Sequence, residues 1–168
     1  MSKNLPASHI LLAIYQIAGG ILGIGVILWL FKINTTSFTG MQIALLSLAS
    51  GLYIYSIFCG ILLLKDNRNG LNQSQINQCL QLVSIFIFGC AYQYYSGIFF
   101  SVGFDLTQKF HFRWKAGFST FQMNYLNNNE SIFVSLNLVA LGLVLYIEKL
   151  MRRQKSLGHL LKTQQQAI

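Results

Sequence analysis

The residues that offer chemistry lie between positions 101 and 119. Asp105 and His111, with Ser101 or Ser119 nearby, are the residue types of an acid–base–nucleophile triad. An alternating pattern, described below, places Asp105 and His111 on one predicted strand. At about 3.3 Å per residue, six steps along a strand separate them by about 20 Å, too far for contact. The sequence therefore predicts no catalytic set, and we expect a protein that is not an enzyme.

Residues with metal or redox chemistry are scattered along the chain. In the topology described below, His9 and His159 lie on the opposite side of the membrane from His111, so the three cannot share a metal. The three cysteines stand in apolar stretches and form no Cys-x-x-Cys pair: Cys59, Cys79 and Cys90. The sequence predicts no metal site and no cofactor.

Basic and aromatic residues alternate in the segment KFHFRWK, residues 109–115. Phe104, Phe112 and Trp114 share one parity and charged residues the other, which is typical of a strand with one apolar face. Further alternating runs follow, and they predict a small β-ribbon over about 104–133. Its candidate interaction surface consists of Lys109, His111, Arg113, Trp114 and Lys115.

The composition is that of an integral membrane protein rather than a soluble one. Charged residues make up 10% of the chain and hydrophobic residues 54%, against about 25% charged in an ordinary soluble domain. Four stretches are long and apolar enough to cross a bilayer as helices. They cover about residues 9–31, 41–64, 76–97 and 134–153, within one membrane domain of residues 1–156, and a tail of residues 157–168 follows.

The basic residues give these spans an orientation. With four spans, eight of the twelve Lys and Arg residues fall on the side that holds both termini. The positive-inside rule then places the termini in the cytoplasm and residues 98–133 outside, in a plasma membrane or a bacterial inner membrane. Because topology explains most of the net charge of +8, we expect no binding to nucleic acid.

Small and polar residues inside the spans are candidates for helix contacts. Small residues four positions apart let helices approach closely in lipid; the candidates are Gly19, Gly23, Ser47, Gly51, Ser56 and Gly60. Buried amides and hydroxyls must find partners in lipid; the candidates are Gln16, Asn77, Gln81, Ser84 and Asn137. Asn77, Gln81 and Ser84 would share one face of the third span, where they either line a polar path or only pack.

These patterns together predict an all-α membrane protein: an up-down bundle of four transmembrane helices with an outer antiparallel β-ribbon between helices three and four. No motif is specific enough to name a family. The absence of catalytic, metal-binding and phosphate-binding motifs favours an accessory or scaffold subunit that binds the bilayer and either another membrane protein or itself. The alternatives are a small oligomeric channel or transporter, and an interfacial enzyme that modifies lipid.

Overall fold

The structure is a computed structural model that describes residues 6–33, 39–87, 90–106, 111–124 and 132–166. These residues form four helices and six strands. The helices are α1 (Ala7–Ile33), α2 (Gly40–Lys65), α3 (Asn67–Leu80) and α4 (Leu138–Gln166). The strands are β1 (Val83–Ile87), β2 (Cys90–Tyr95), β3 (Phe99–Asp105), β4 (His111–Gly117), β5 (Thr120–Asn124) and β6 (Phe133–Asn137).

Helices α1 and α2 form an antiparallel pair that contains the first two predicted spans. A capping box starts α2, in which Thr39 accepts from the backbone of Gln42 and the Gln42 side chain accepts from the backbone of Thr39. Among the described residues, these two helices are the ones long and apolar enough to cross a membrane. Their most apolar windows are 39% and 28% buried within the molecule.

The predicted bundle of four transmembrane helices is wrong. Helix α3 ends at Leu80, and the region assigned to the third span continues as strands β1 and β2. The region assigned to the fourth span begins with β6, and α4 has only a short apolar part before Arg152 and Arg153. The error arose because overall hydropathy does not distinguish a helix from short alternating strands joined to a helix.

The six strands form one antiparallel sheet with the order β4-β3-β6-β1-β2-β5. The predicted outer ribbon is therefore only part of a larger sheet, which also includes strands from the region assigned to the third span. Asp105 and His111, which the sequence places on one strand, belong to two strands, β3 and β4, that pair with each other. Strands β4 and β5 are the two edges of the sheet.

Two apolar clusters show how the helices and the sheet are arranged. Leu12, near the start of α1, packs with Leu63 of α2, Leu71 of α3 and Ile147 of α4. Ile27, near the end of α1, belongs to a second cluster, with α2 and Tyr94 of β2. Helices α3 and α4 thus pack beside one end of the α1–α2 pair, and the sheet packs beside the other end.

Candidate docking edge and polar groove

One face of the sheet carries most of its polar side chains, together with some aromatic ones, and lines a groove. The register brings side chains from all six strands to this face, and the groove has a volume of about 390 Å³. Since residues of both edge strands line the same groove, the sheet curls into half of a barrel with its polar face inside. The polar groove is lined by Phe86, Gln93, Ser101, Asp105, Arg113, Trp114, Lys115, Gln122, Phe133 and Ser135.

The other face of the sheet is apolar and largely uncovered. Tyr94 and Phe121, near one edge, pack against the α1–α2 pair. Across the remaining strands, large apolar side chains stay exposed: Ile85, Ile87, Phe100, Phe104, Phe112, Trp114 and Val134. The sheet therefore carries most of its polar side chains on the inner face and large apolar side chains on the outer face.

Strand β4 carries most of the predicted interaction surface. Every residue from His111 to Ala116 is exposed. By register, His111, Arg113 and Lys115 lie on the groove side of β4. Trp114 lies on the apolar side of the strand and also borders the groove at this edge. Lys109 lies outside the described residues. As an edge strand, β4 has one row of backbone N–H and C=O groups beside which no strand of the described residues lies.

The prediction that Asp105 and His111 are distant is wrong, because they are direct partners across the β3–β4 hairpin. Asp105 nevertheless forms an ion pair with Arg113, with 3.2 Å between its Oδ2 and the guanidinium Nη2. Ser101 donates its hydroxyl hydrogen to the carbonyl of Lys115 at 3.3 Å. The Asp105 carboxylate and the Ser101 hydroxyl therefore both take part in contacts between β3 and β4.

A column of buried polar side chains extends from the end of the sheet into the helices. Ser56 of α2 stands at its centre and donates to the Gln16 carbonyl at 3.0 Å. The Ser56 oxygen also accepts from the Asn77 amide at 3.2 Å and from the Ser96 hydroxyl at 2.9 Å. Ser56 thus joins α1, α2, α3 and the end of β2 through one hydroxyl group.

Other predicted polar residues belong to the same column. The Gln16 side-chain oxygen accepts from Ser74 at 3.3 Å, and that of Gln81 accepts from the Ser96 amide at 2.8 Å. Tyr94 lies 3.3 Å from the Asn77 side-chain oxygen and also donates to the Leu52 carbonyl.

The remaining polar candidates lie elsewhere. Ser84 is on β1 rather than on a helical face with Asn77 and Gln81, and it donates to the Tyr95 hydroxyl at 2.7 Å. Asn137 ends β6, and its side-chain oxygen accepts from the amides of residues 139 and 140 at the start of α4. Asn137 is therefore a helix cap rather than a contact within a transmembrane helix.

The predicted small-residue contacts divide into three kinds. At Gly23 and Gly60 an added Cβ would overlap the opposite helix of the α1–α2 pair. Gly19 instead faces the backbone of Ser96 and Gly97, where the chain turns between β2 and β3 with a positive φ of 96° at Gly97. Gly51 has open space around it, and the Ser47 hydroxyl bonds to its own helix at Ile43.

Sequence reasoning missed groove residues on β2, β5 and β6. Gln93 and Ser135 fall within the predicted membrane helices, and Gln122 is not among the sequence candidates. One sequence signal does indicate a strand here. Side chains alternate with a period of two, with Ala91, Gln93 and Tyr95 on one side and Tyr92 and Tyr94 on the other.

No protein-family model, curated protein or solved structure matches this chain.

Proposed function

We propose that this protein is a non-catalytic membrane subunit that binds a second membrane protein along the open edge of strand β4. The observation that carries this proposal is that β4 is an edge strand exposed on both of its faces. An added strand would pair with its backbone, which is a common mode of peptide and protein recognition. Because basic and aromatic side chains alternate along β4, its basic side can face water while its aromatic side faces lipid.

The membrane location in this proposal is supported by the apolar surface. The exposed apolar residues of α1 and α2 and those of the apolar face lie on parts of the molecule that pack side by side. An open sheet edge is not tolerated in lipid, because water cannot satisfy its backbone groups there. A partner strand that pairs with β4 would satisfy these backbone groups, and this favours assembly.

The orientation that we propose keeps both termini in the cytoplasm. Lys65, Arg68, Arg152 and Arg153 lie toward the end of the molecule where α3 and α4 pack, and Arg113 and Lys115 lie on the sheet. The larger basic group belongs on the cytoplasmic side, so the sheet occupies the opposite half of the membrane.

The docking edge is tested by hydrogen exchange with mass spectrometry on the full chain. We expect the outward amides of β4 to exchange rapidly in the purified monomer and to be protected at least tenfold in the native membrane complex. A peptide from the same sheet's interior, such as β6, serves as the internal control and should be protected in both states. Equal exchange of β4 in both samples would contradict strand docking.

A second candidate function is that of a small oligomeric channel. The polar groove and the buried polar column beneath it favour this candidate, since polar groups aligned through the interior are typical of a conduit. Solute flux into liposomes that contain the purified protein, lost on replacement of Ser56 by leucine, would support the channel. Sealed liposomes at any protein density would exclude it.

A further inference from the structure

Strands β4 and β5 run in opposite directions at the two ends of the sheet. The sheet has six strands, and each neighbouring pair is antiparallel. Five reversals in succession leave β5 antiparallel to β4. A copy of the sheet rotated by half a turn about the groove axis therefore brings β5 of one molecule beside β4 of the other in the correct sense for antiparallel pairing.

Closure by a second copy satisfies both edges of the sheet at the same time. A single foreign strand on β4 would leave another open edge, whereas two half-barrels related by a two-fold axis leave none. The even number of strands makes this closed arrangement possible without a parallel pair. The polar groove would become the lumen of a barrel of twelve strands, and the apolar face would remain on the outside toward lipid.

The charges on the edges favour pairing of β4 with β5 over pairing of β4 with itself. On the groove side, β4 presents Arg113 and Lys115. A β4–β4 pair would bring these cations close to their own copies, and like charges on paired strands are destabilising. On the same side β5 presents Thr120 and Gln122, which are uncharged and can accept hydrogen bonds from a cation.

From these observations we infer that the partner at the β4 edge is a second copy of this chain, with β4 of each molecule paired to β5 of the other. The inference rests on the proposed function, which makes β4 a docking edge. It adds the identity of the partner and the pairing of the strands. The groove is then completed by the second copy, because each molecule provides one half of its wall.

Cysteine cross-linking in mixed membranes tests this pairing. Cys59, Cys79 and Cys90 are first replaced by alanine, and Trp114→Cys and Phe121→Cys are placed in two differently tagged copies. Both positions belong to the outer side of their strands. With a short bifunctional maleimide, we expect a covalent dimer that carries both tags when the two variants are co-expressed, and no dimer from either variant alone. Neighbouring positions Phe112 and Ala116 of β4 extend the scan along the strand.

A matched control uses Leu145→Cys, an exposed position of α4, with Phe121→Cys; this pair should give no dimer. The mass of the unmodified protein in lipid nanodiscs is the second measurement, for which we expect two copies. A dimer from Trp114→Cys alone would overturn the proposed strand pairing. If the nanodiscs hold a single copy and β4 is protected from exchange only when a different protein is bound, the partner is not a second copy of this chain. That result would still agree with β4 as a docking edge.

Discussion

Gly23 and Gly51 belong to the same type of small-residue pair in the sequence, but only Gly23 has a close neighbour. A Cβ at Gly23 would overlap the ring of Tyr53, whereas Gly51 has nothing within 4 Å. We expect Gly23→Ala to destabilise the protein by about 1–3 kcal/mol through overpacking. Gly51→Ala should be neutral or slightly stabilising, because alanine is the better helix former.

Thermal unfolding of the two alanine variants in the same detergent measures this difference. The Gly51 variant is the control for the general effect of alanine in these helices. Equal melting temperatures for the two variants would mean that the α1–α2 contact at Gly23 is not as close as described.

Asn77 is the second residue whose replacement should be informative. Its amide nitrogen donates to Ser56, and its oxygen lies 3.3 Å from the Tyr94 hydroxyl. Asn77→Ala should lower the free energy of unfolding by about 1–3 kcal/mol, since it removes two partners from buried polar groups. The control is Ser47→Ala, an exposed hydroxyl that bonds only within its own helix. Chemical denaturation in detergent distinguishes the two, and an Asn77 variant as stable as the Ser47 variant would contradict the buried polar column.

Asp105 and His111 supply a prediction about chemistry. Both lie on the groove side of the β3–β4 hairpin. If the protein is a non-catalytic subunit, Asp105→Ala combined with His111→Ala should leave the amount of recovered complex within twofold of the wild type. The Asp105–Arg113 pair is largely exposed on the arginine side, so its loss should change stability by less than about 1 kcal/mol. If the double variant still assembles but has lost a lipid-converting activity that the wild type shows, the result would favour the hypothesis of an interfacial enzyme.

At the scale of elements, the junction of β6 with α4 shows why the sequence was misleading. Phe133, Ser135 and Asn137 share the polar side of β6, and α4 begins at the next residue without a loop. A window of average hydropathy joins the strand and the helix into one apparent span. Two features mark the boundary between the strand and the helix: the period of two in β6 and the helix cap at Asn137. A single asparagine is only a weak sequence signal for the start of a helix.

The cap at this junction is testable. Asn137→Ala removes the acceptor for two amides at the start of α4, and we expect a loss of about 0.5–2 kcal/mol. Asn137→Asp keeps an acceptor at a helix N-terminus and should lose less. Melting temperatures of both variants measure the effect. Equal destabilisation by alanine and aspartate would show that the cap does not determine where α4 begins.

At the scale of the whole molecule, the sequence predicted the two long apolar helices better than it predicted the topology. Helices α1 and α2 follow directly from uncharged stretches of membrane length. The outer strands could also be predicted in part, since Phe104, Phe112 and Trp114 do share a face. The six-stranded sheet could not be predicted, because strand pairing joins residues far apart in the sequence, such as Ser84 and Ser135, and local patterns do not encode partners.

The proposed docking at β4 and the proposed barrel of two copies both require that the sheet lies within the membrane. Spin labels at Phe104→Cys and Val134→Cys report on the apolar face, and labels at Lys115→Cys and Gln122→Cys report on the polar groove. Each is measured in nanodiscs with oxygen, which concentrates in lipid, and with a water-soluble nickel chelate. We expect the first two labels to respond mainly to oxygen and the last two mainly to nickel. Labels on the apolar face that respond to nickel as strongly as those in the groove would contradict a sheet embedded in the membrane.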